Sequence, residues 1–538
     1  MRKNALAMSI ATLIGGLGFV GAASADVIVG TGPVGGSATQ LGLSSATQLV
    51  VNNGGIGHAL LTPYFSAQNG NATLISIVNT DTTNGKAVKV RFRGASNSDD
   101  ILDFTVLMSP GDVWNATVTA ASGGVANIVT QDRSCTVPQL QPGVPQSFVT
   151  TRLTSKGGND IANNTREGYI EIFNMADIPP ATGTSSLFAT VKHNSSGVPT
   201  CSSTVINAAI LTTNWVTEAG AAGAGLNTPT TGLFGNWAII NVPQTTTYSG
   251  EMIALRAQDV NGVDARGNFV LFPQSASAYT GAIENVTGDP LFRTTPGTVK
   301  DNNGAMTTTA GPAIPAAFFD LPDMSTPYTA PGGTITSPAQ QTQDLSTALA
   351  VKSVMNEYVN DAIISAKTDW VFSMPTRRYQ VAMDYAPSTS RRLFSTSGVA
   401  PTPQYFYTDN TSVSTTNSQQ ICVGAQSQTF YDREEGTKTS GAVFSPGNLT
   451  VTNFCGEVSV LSFNDAGNSA LSASVARQDT GTSAFTNGWG NIAVLNPVTS
   501  LGLPVVGSAF VKATTGRPSA GAGFAGTYGL SFEHRFTR

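Results

Sequence analysis

Histidine is the residue most enzymes use to move protons near neutral pH. This chain has three in 538 residues, His58, His193 and His534, scattered along its whole length. A three-histidine zinc site would need every one of them to converge. No HExxH, GxSxG elbow, P-loop or helix-opening GxGxxG occurs, so no catalytic residues are assigned by motif. The four cysteines, Cys135, Cys201, Cys422 and Cys455, lack the CxxC spacing of a metal knuckle. An even count in an exported chain argues instead for two disulfides. Three pairings are open, and Cys135–Cys201 with Cys422–Cys455 is favoured because it puts one bridge in each half. Each would close a loop worth about 3–4 kcal/mol in the loop-entropy account.

Carboxylates are the remaining chemistry. Asp99, Asp100 and Asp103 cluster at a turn, and Asp259, Asn261 and Asp264 set oxygen ligands around Gly262. Calcium takes such ligands readily, so it is the cofactor these residues suggest. The second loop lacks the full EF-hand spacing and its terminal Glu. Asp432, Glu434 and Glu435 form a third acidic spot. A solvated β-turn is the competing account of all three. A glycosidase pair of carboxylates would meet only in the fold, and no spacing points to one. Exposed tryptophans could stack sugars, but of Trp114, Trp215, Trp237, Trp370 and Trp489, those embedded in strand patterns read as core.

Short strands must position these groups. Between Gly57 and Val118, residues 74–78 form an apolar run, and Asn84-Gly85 has the composition of a tight hairpin turn. Val88, Val90 and Phe92 then alternate with Lys89, Arg91 and Arg93, which predicts a strand with one buried face. Strands over 101–108 and from Val113 complete an antiparallel meander. Similar patterns recur over 168–174, 234–242, 251–256, 268–272 and 368–374, and through the second half to an aromatic alternation over 528–536. That last alternation is similar to the closing strand of an outer-membrane barrel. The uneven strands and long Pro/Thr-rich loops argue against a barrel. One helix is predicted from Asp344, because Leu345, Leu349, Val354, Met355, Tyr358 and Val359 recur at helical spacing. The Pro-, Thr- and Gly-rich stretch 289–341 reads as a linker or long surface loop, of which 317–322 is too apolar to float free.

Only 11% of residues are charged, against roughly 25% in soluble proteins generally. With 40% hydrophobic residues, 56 glycines and 28 prolines, the composition suits many short strands and turns and excludes disorder. The net charge of −5 and the lack of a basic cluster exclude nucleic acid as a partner. Arg2 and Lys3, an apolar run over 5–20 and Ala23-Ser24-Ala25 have the layout of a secretory signal peptide cleaved before Asp26. No later stretch is long and apolar enough for a transmembrane helix. The expected organisation is a signal peptide over 1–25, a β domain over 26–330, and a second β domain with one leading helix over 331–538. The fold class is mainly β, with antiparallel β-sandwich-type domains, long loops and one or few short helices.

The segments TLISIVNTDTTNGKAVKVRFRGASNSDDILDFTVLMSPGDVW (73–114), FFDLPDMSTPY (318–328), TDWVFSMPTRRY (368–379) and GTYGLSFEHRFTR (526–538) resemble exported Gram-negative bacterial proteins labelled "cell surface protein". The resemblance runs along most of the mature chain and brings no catalytic motif with it. It implies export and a place at the cell surface or outside the cell. The expected function is a non-enzymatic structural or interaction protein, of the surface-layer kind, whose partners are its own copies or other outer-surface components. The alternatives are an adhesin that binds glycans or a solid surface and, less in keeping with the scarce histidines, a secreted hydrolase.

Overall fold

The structure is a computed structural model. It describes residues 26–28, 46–150, 153, 160–183, 185–211, 218–267, 269–271, 299–300, 306–307, 324, 342–384, 391–395, 405–415, 420–439, 451–463, 469–480, 485–515 and 526–538. The signal segment, the apolar stretch 317–322 and nearly all of 289–341 lie outside the described residues.

The chain is mainly β, and its large sheets are antiparallel, packed in sandwich fashion. In the N-terminal half a seven-stranded sheet runs in the order Gln48–Asn52, Ile253–Gln258, Ala59–Ser66, Glu167–Ile178, Gly85–Gly94, Asp100–Met108, Cys135–Val137. A six-stranded sheet runs Gln146–Ser147, Ala126–Val129, Val113–Ala120, Asn71–Asn79, Leu233–Asn241, Thr246–Glu251. Phe104 of the first meets Trp114 of the second with ring centroids 5.5 Å apart, and both are buried. In the C-terminal half, one five-stranded sheet contains Thr437–Thr439, Ser427–Tyr431, Asn487–Ala493, Ser353–Val359 and Arg535–Thr537, in that order. Its partner runs Arg477–Thr480, Val458–Phe463, Lys367–Ser373, Ser508–Thr515, Gly526–Glu533, with one parallel pair between the first two strands. Tyr358 stacks on Phe463 across that core, centroids 5.4 Å apart.

Three local expectations are corrected. The 57–118 stretch is not a simple meander: Asn71–Asn79 belongs to the six-stranded sheet, whereas Gly85–Gly94 belongs to the seven-stranded one. The connection between them crosses from layer to layer, so no hairpin forms at Asn84-Gly85. Instead the Asp81 carboxylate accepts from the N–H groups of Thr83 and Asn84, at 2.8 and 2.9 Å, an Asx-type turn. Gly85 is required for space, since a Cβ there would stand 2.7 Å from the Met108 carbonyl.

The predicted long helix stops after Gln343–Leu349 and continues as the strand Ser353–Val359, flanked by two other strands. Val354 and Tyr358 are β-formers, and sheet pairing overrides their helical spacing. Thirdly, every position of Gly85–Gly94 is buried, the Lys89, Arg91 and Arg93 face included. The C-terminal half covers that face. The main hydrophobic core is likewise continuous across the halves, running from Ile172 and Trp237 on to Val371, Val458 and Phe510.

The cysteines form two disulfides, Cys135–Cys201 and Cys422–Cys455. The second joins directly opposed residues of the neighbouring strands Ile421–Gly424 and Asn453–Cys455.

Candidate functional site

The densest collection of ionisable groups lies in the seam where the C-terminal half covers the seven-stranded sheet. Strand register brings Arg91 opposite both Asp103 and Glu171. Asp103 Oδ2 lies 2.9 Å from Lys89 Nζ and 3.2 Å from Arg91 Nη2, and Glu171 Oε2 lies 3.2 Å from Arg93 Nε. From the other half, Arg378 Nη2 comes within 3.7 Å of Glu171 Oε1. Arg377 donates to Glu457 Oε2 at 2.6 Å, and the Arg378 N–H donates to Glu457 Oε1 at 3.2 Å. Backbone bonds fasten the seam: the N–H groups of Glu457 and Val458 both reach the Ala95 carbonyl, at 2.7 and 3.1 Å.

Burial lowers the Lys89 ammonium to about 8, against the opposing pull of Asp103. Burial also pushes the Tyr169 phenol upward, with the Glu171 charge acting in the same direction. Buried charge is tolerated only where it is paired and hydrogen-bonded, and the seam side chains Lys89, Arg91, Arg93, Glu171, Arg377, Arg378 and Glu457 are all buried. The seam is a fastening.

A second fastening is the segment 469–476. Glu167 accepts from the N–H groups of Ser474 and Ala476, at 2.7 and 2.8 Å, and Asp369 accepts from the Leu471 N–H at 2.9 Å. Both carboxyls are pushed above their ordinary range by burial, which outweighs these bonds. Tyr248 and Asn71 of the N-terminal half donate to the Ala470 and Leu471 carbonyls, at 2.9 and 2.7 Å.

Two histidines serve the same structural end. His58 accepts the Ala257 N–H at Nδ1 and lies 3.1 Å from the Ala265 carbonyl at Nε2. His534 lies 3.0 Å from the Val371 carbonyl at Nε2 and 3.0 Å from the Asn356 amide at Nδ1. A carbonyl partner fixes Nε2–H in both, so the rings are neutral with both nitrogens occupied. Burial lowers each to about 3; the Lys86 charge adds to the effect at His58.

His193 is more open. Its Nδ1 lies 3.0 Å from Ser109 Oγ and 3.8 Å from Asp112 Oδ2. A nucleophilic triad needs serine and carboxylate on opposite ring nitrogens. Here both meet the same one, and Asp112 Oδ2 already accepts from the Ser109 N–H and the Ser134 hydroxyl at 3.1 Å each. The residue types are present and the geometry is not.

The acidic turns hold no metal-ready cluster: among the described residues, no three His, Cys, Asp or Glu side chains are grouped to bind an ion. Asp99, Asp100 and Asp103 are drawn into the seam, where Asp100 faces Arg91 at 3.4 Å and Asp103 bridges Lys89 and Arg91. Asp259 accepts the N–H groups of Asn261 and Val263, at 2.8 and 3.0 Å, and Asp264 pairs with Arg256. Asp432 accepts from the N–H groups of Glu434 and Gly436, at 2.9 and 2.7 Å. The last two loops are side-chain-capped β-turns.

Besides a groove of about 700 Å³ on the six-stranded sheet, lined by Leu74, Asn115, Val129 and Trp237 among others, two features among the described residues open outward. A cavity of about 230 Å³ between the halves has a mixed lining, with Val51, Met252, Leu349 and Val505 beside Asn52, Glu251, Glu533 and Arg538. It is smaller than ordinary ligand pockets of roughly 300–1,000 Å³, and its one histidine, His534, has both nitrogens engaged. The second is aromatic. Trp489 is 40% exposed on the outer face of its five-stranded sheet, with its ring parallel to Tyr431 at 4.2 Å. Tyr528, Leu530 and Phe532 also remain partly exposed along the edge strand Gly526–Glu533. The period-2 reading of that strand is correct, but Arg535–Thr537 joins the other sheet rather than continuing it.

The fold and these sites define an all-β, disulfide-bonded protein in which no helix among the described residues is long and apolar enough to cross a membrane. Compared with family models, curated proteins and solved structures, the chain matches none. Sequence reasoning missed the seam. Its signal was the pair Arg377-Arg378 together with the lone Glu457, which only the fold brings together.

Proposed function

We propose that this chain is an exported, non-enzymatic structural or interaction protein of the outer cell surface. The observation that carries this reading is where its scarce ionisable groups lie. Lys89, Arg91, Arg93, Glu171, Arg377, Arg378 and Glu457 are buried in the seam between the halves, and His58 and His534 are locked neutral inside. Two disulfides suit the oxidising conditions of an exported chain, and the resemblance to Gram-negative cell surface proteins points the same way.

A second reading, an adhesin for glycans, is favoured by one observation, the stacked pair Trp489 and Tyr431 on an open sheet face. The test is the size and adherence of the chain from Asp26, followed by light scattering in EDTA and by binding to cells. Ordered assemblies that persist in EDTA support a surface-layer subunit, and a monomer that adheres to cells supports the adhesin. Turnover of ester or glycoside substrates would sink both.

A further inference from the structure

The strand Asn487–Ala493 carries Trp489 and Asn491 outward, and register sets their neighbours. Tyr431 lies opposite Trp489 on one side and Glu357 on the other; one step along, Thr429 and Met355 flank Asn491. Trp114, Trp237 and Trp370 are buried in cores, so the exposure of Trp489 stands apart among the described tryptophans. Tyr431 backs one face of the indole with the rings only 5° from parallel, Glu357 stands on the neighbouring strand beyond the other face, and the indole remains 40% exposed. Both rings stand on a hydrogen-bonded sheet, so little conformational freedom is left to lose on binding.

A pyranose ring matches this surface. Its axial C–H face is apolar and can pack on the exposed part of the Trp489–Tyr431 pair, and its rim of hydroxyls finds hydroxyl and amide side chains alongside. Asn491 Oδ1 is buried and has no donor within the protein, so rotating the amide outward would offer it to a ligand hydroxyl at the loss of no internal bond to that oxygen. Glu357 and Arg535 bring opposite charges to this face, which favours a neutral ligand. Nucleic acid would need a positive field, and a stable protein partner would need about 800 Å² per side, far more than two rings present.

We propose that this outer face binds neutral polysaccharide, with Trp489 and Tyr431 as the stacking residues and Thr429 and Asn491 as the hydrogen-bonding ones. The proposal deepens the adhesin reading and rests on it.

The probes are cellulose and chitin by pelleting and soluble xylan and dextran by affinity electrophoresis, with the full chain from Asp26. At least one polymer should retain the wild type. Trp489→Ala should weaken that binding by roughly tenfold or more, as truncating an aromatic hot spot does. Tyr431→Ala should also weaken it, and Trp489→Phe should keep part of it. Tyr528→Ser, an exposed aromatic elsewhere, should leave binding unchanged.

A readout on the unmutated chain is protection of Trp489 from N-bromosuccinimide oxidation by the bound polymer, located by mass spectrometry. Retention by none of the four polymers overturns the proposal. So does equal loss with Tyr528→Ser, which would mean generic adherence, or competition by choline, which would mean that Glu357 and the indole form a cation site. A chain that binds none of these polymers yet still adheres to cells removes the platform and leaves the interaction-protein reading in place.

Discussion

Two sheet faces in this molecule differ in what lies over them. The face of Gly85–Gly94 that carries Lys89, Arg91 and Arg93 is fully buried, while the face of Asn487–Ala493 that carries Trp489 is open to solvent. Alternation along a strand says that its two faces differ; which one meets water depends on the layers packed above and below. The charged face acquired a second layer bearing Glu457, Arg377 and Arg378, and its charges became internal pairs. The aromatic face acquired none among the described residues, and Trp489 stays 40% exposed. In a chain with only 11% charged residues, a cluster of them committed to internal pairs is unavailable for surface chemistry, which is the physical basis of the functional reading.

The strongest way to break this comparison is at Glu457. Glu457→Gln leaves the Arg377 guanidinium in the seam without its carboxylate and removes the charge that accepts the Arg378 backbone N–H. Removing one partner of a buried pair costs about 3–5 kcal/mol, so the urea midpoint should fall markedly; a loss under about 1 kcal/mol would mean that water enters the seam.

A smaller effect tests whether the interior is as closed as the rings suggest. The folded His534 is lowered to about 3 by burial, whereas the unfolded residue titrates near its ordinary 6.5. The unfolded state therefore binds the extra proton, and stability is lost as pH falls below about 6.5. Between pH 6.5 and 5 the wild type should lose about 2 kcal/mol more than His534→Gln; parallel pH profiles would place the imidazole in water.

The smallest effect belongs to the open face. Trp489→Ala should change stability by about 1 kcal/mol or less. A loss as large as that of Glu457→Gln would make the indole a core residue and remove the contrast.

Much of the strand content was legible because period-2 patterning and turn residues are local. Gly85–Gly94 and Asp100–Met108 pair as their alternation suggests. The cysteine pairing was favoured because it put one bridge in each half, without knowledge that register sets Cys422 opposite Cys455. Sheet membership was not legible: Asn71–Asn79 and Gly85–Gly94 are consecutive strands in different layers, and nothing between them but an ordinary turn marks the change. The helix predicted from Asp344 failed past Leu349 for a related reason, since Val354 and Tyr358 satisfy a helical and a strand pattern equally until a neighbouring strand supplies hydrogen bonds. The acidic triplet Asp99, Asp100 and Asp103 resembled a calcium loop in sequence, yet Lys89 and Arg91 across the sheet take the carboxylates of Asp100 and Asp103.

By itself, then, the amino-acid order determined an all-β, glycine-punctuated chain poor in charge and in histidine, because composition and short-range periodicity act within a few residues. Tertiary structure alone decided that the arginine-rich strand faces inward, that Glu457 meets Arg377 and Arg378, and that Trp489 stays outside. Those outcomes depend on contacts between residues tens to hundreds apart. Their cost or gain is set by how much water each layer excludes, which no local pattern records.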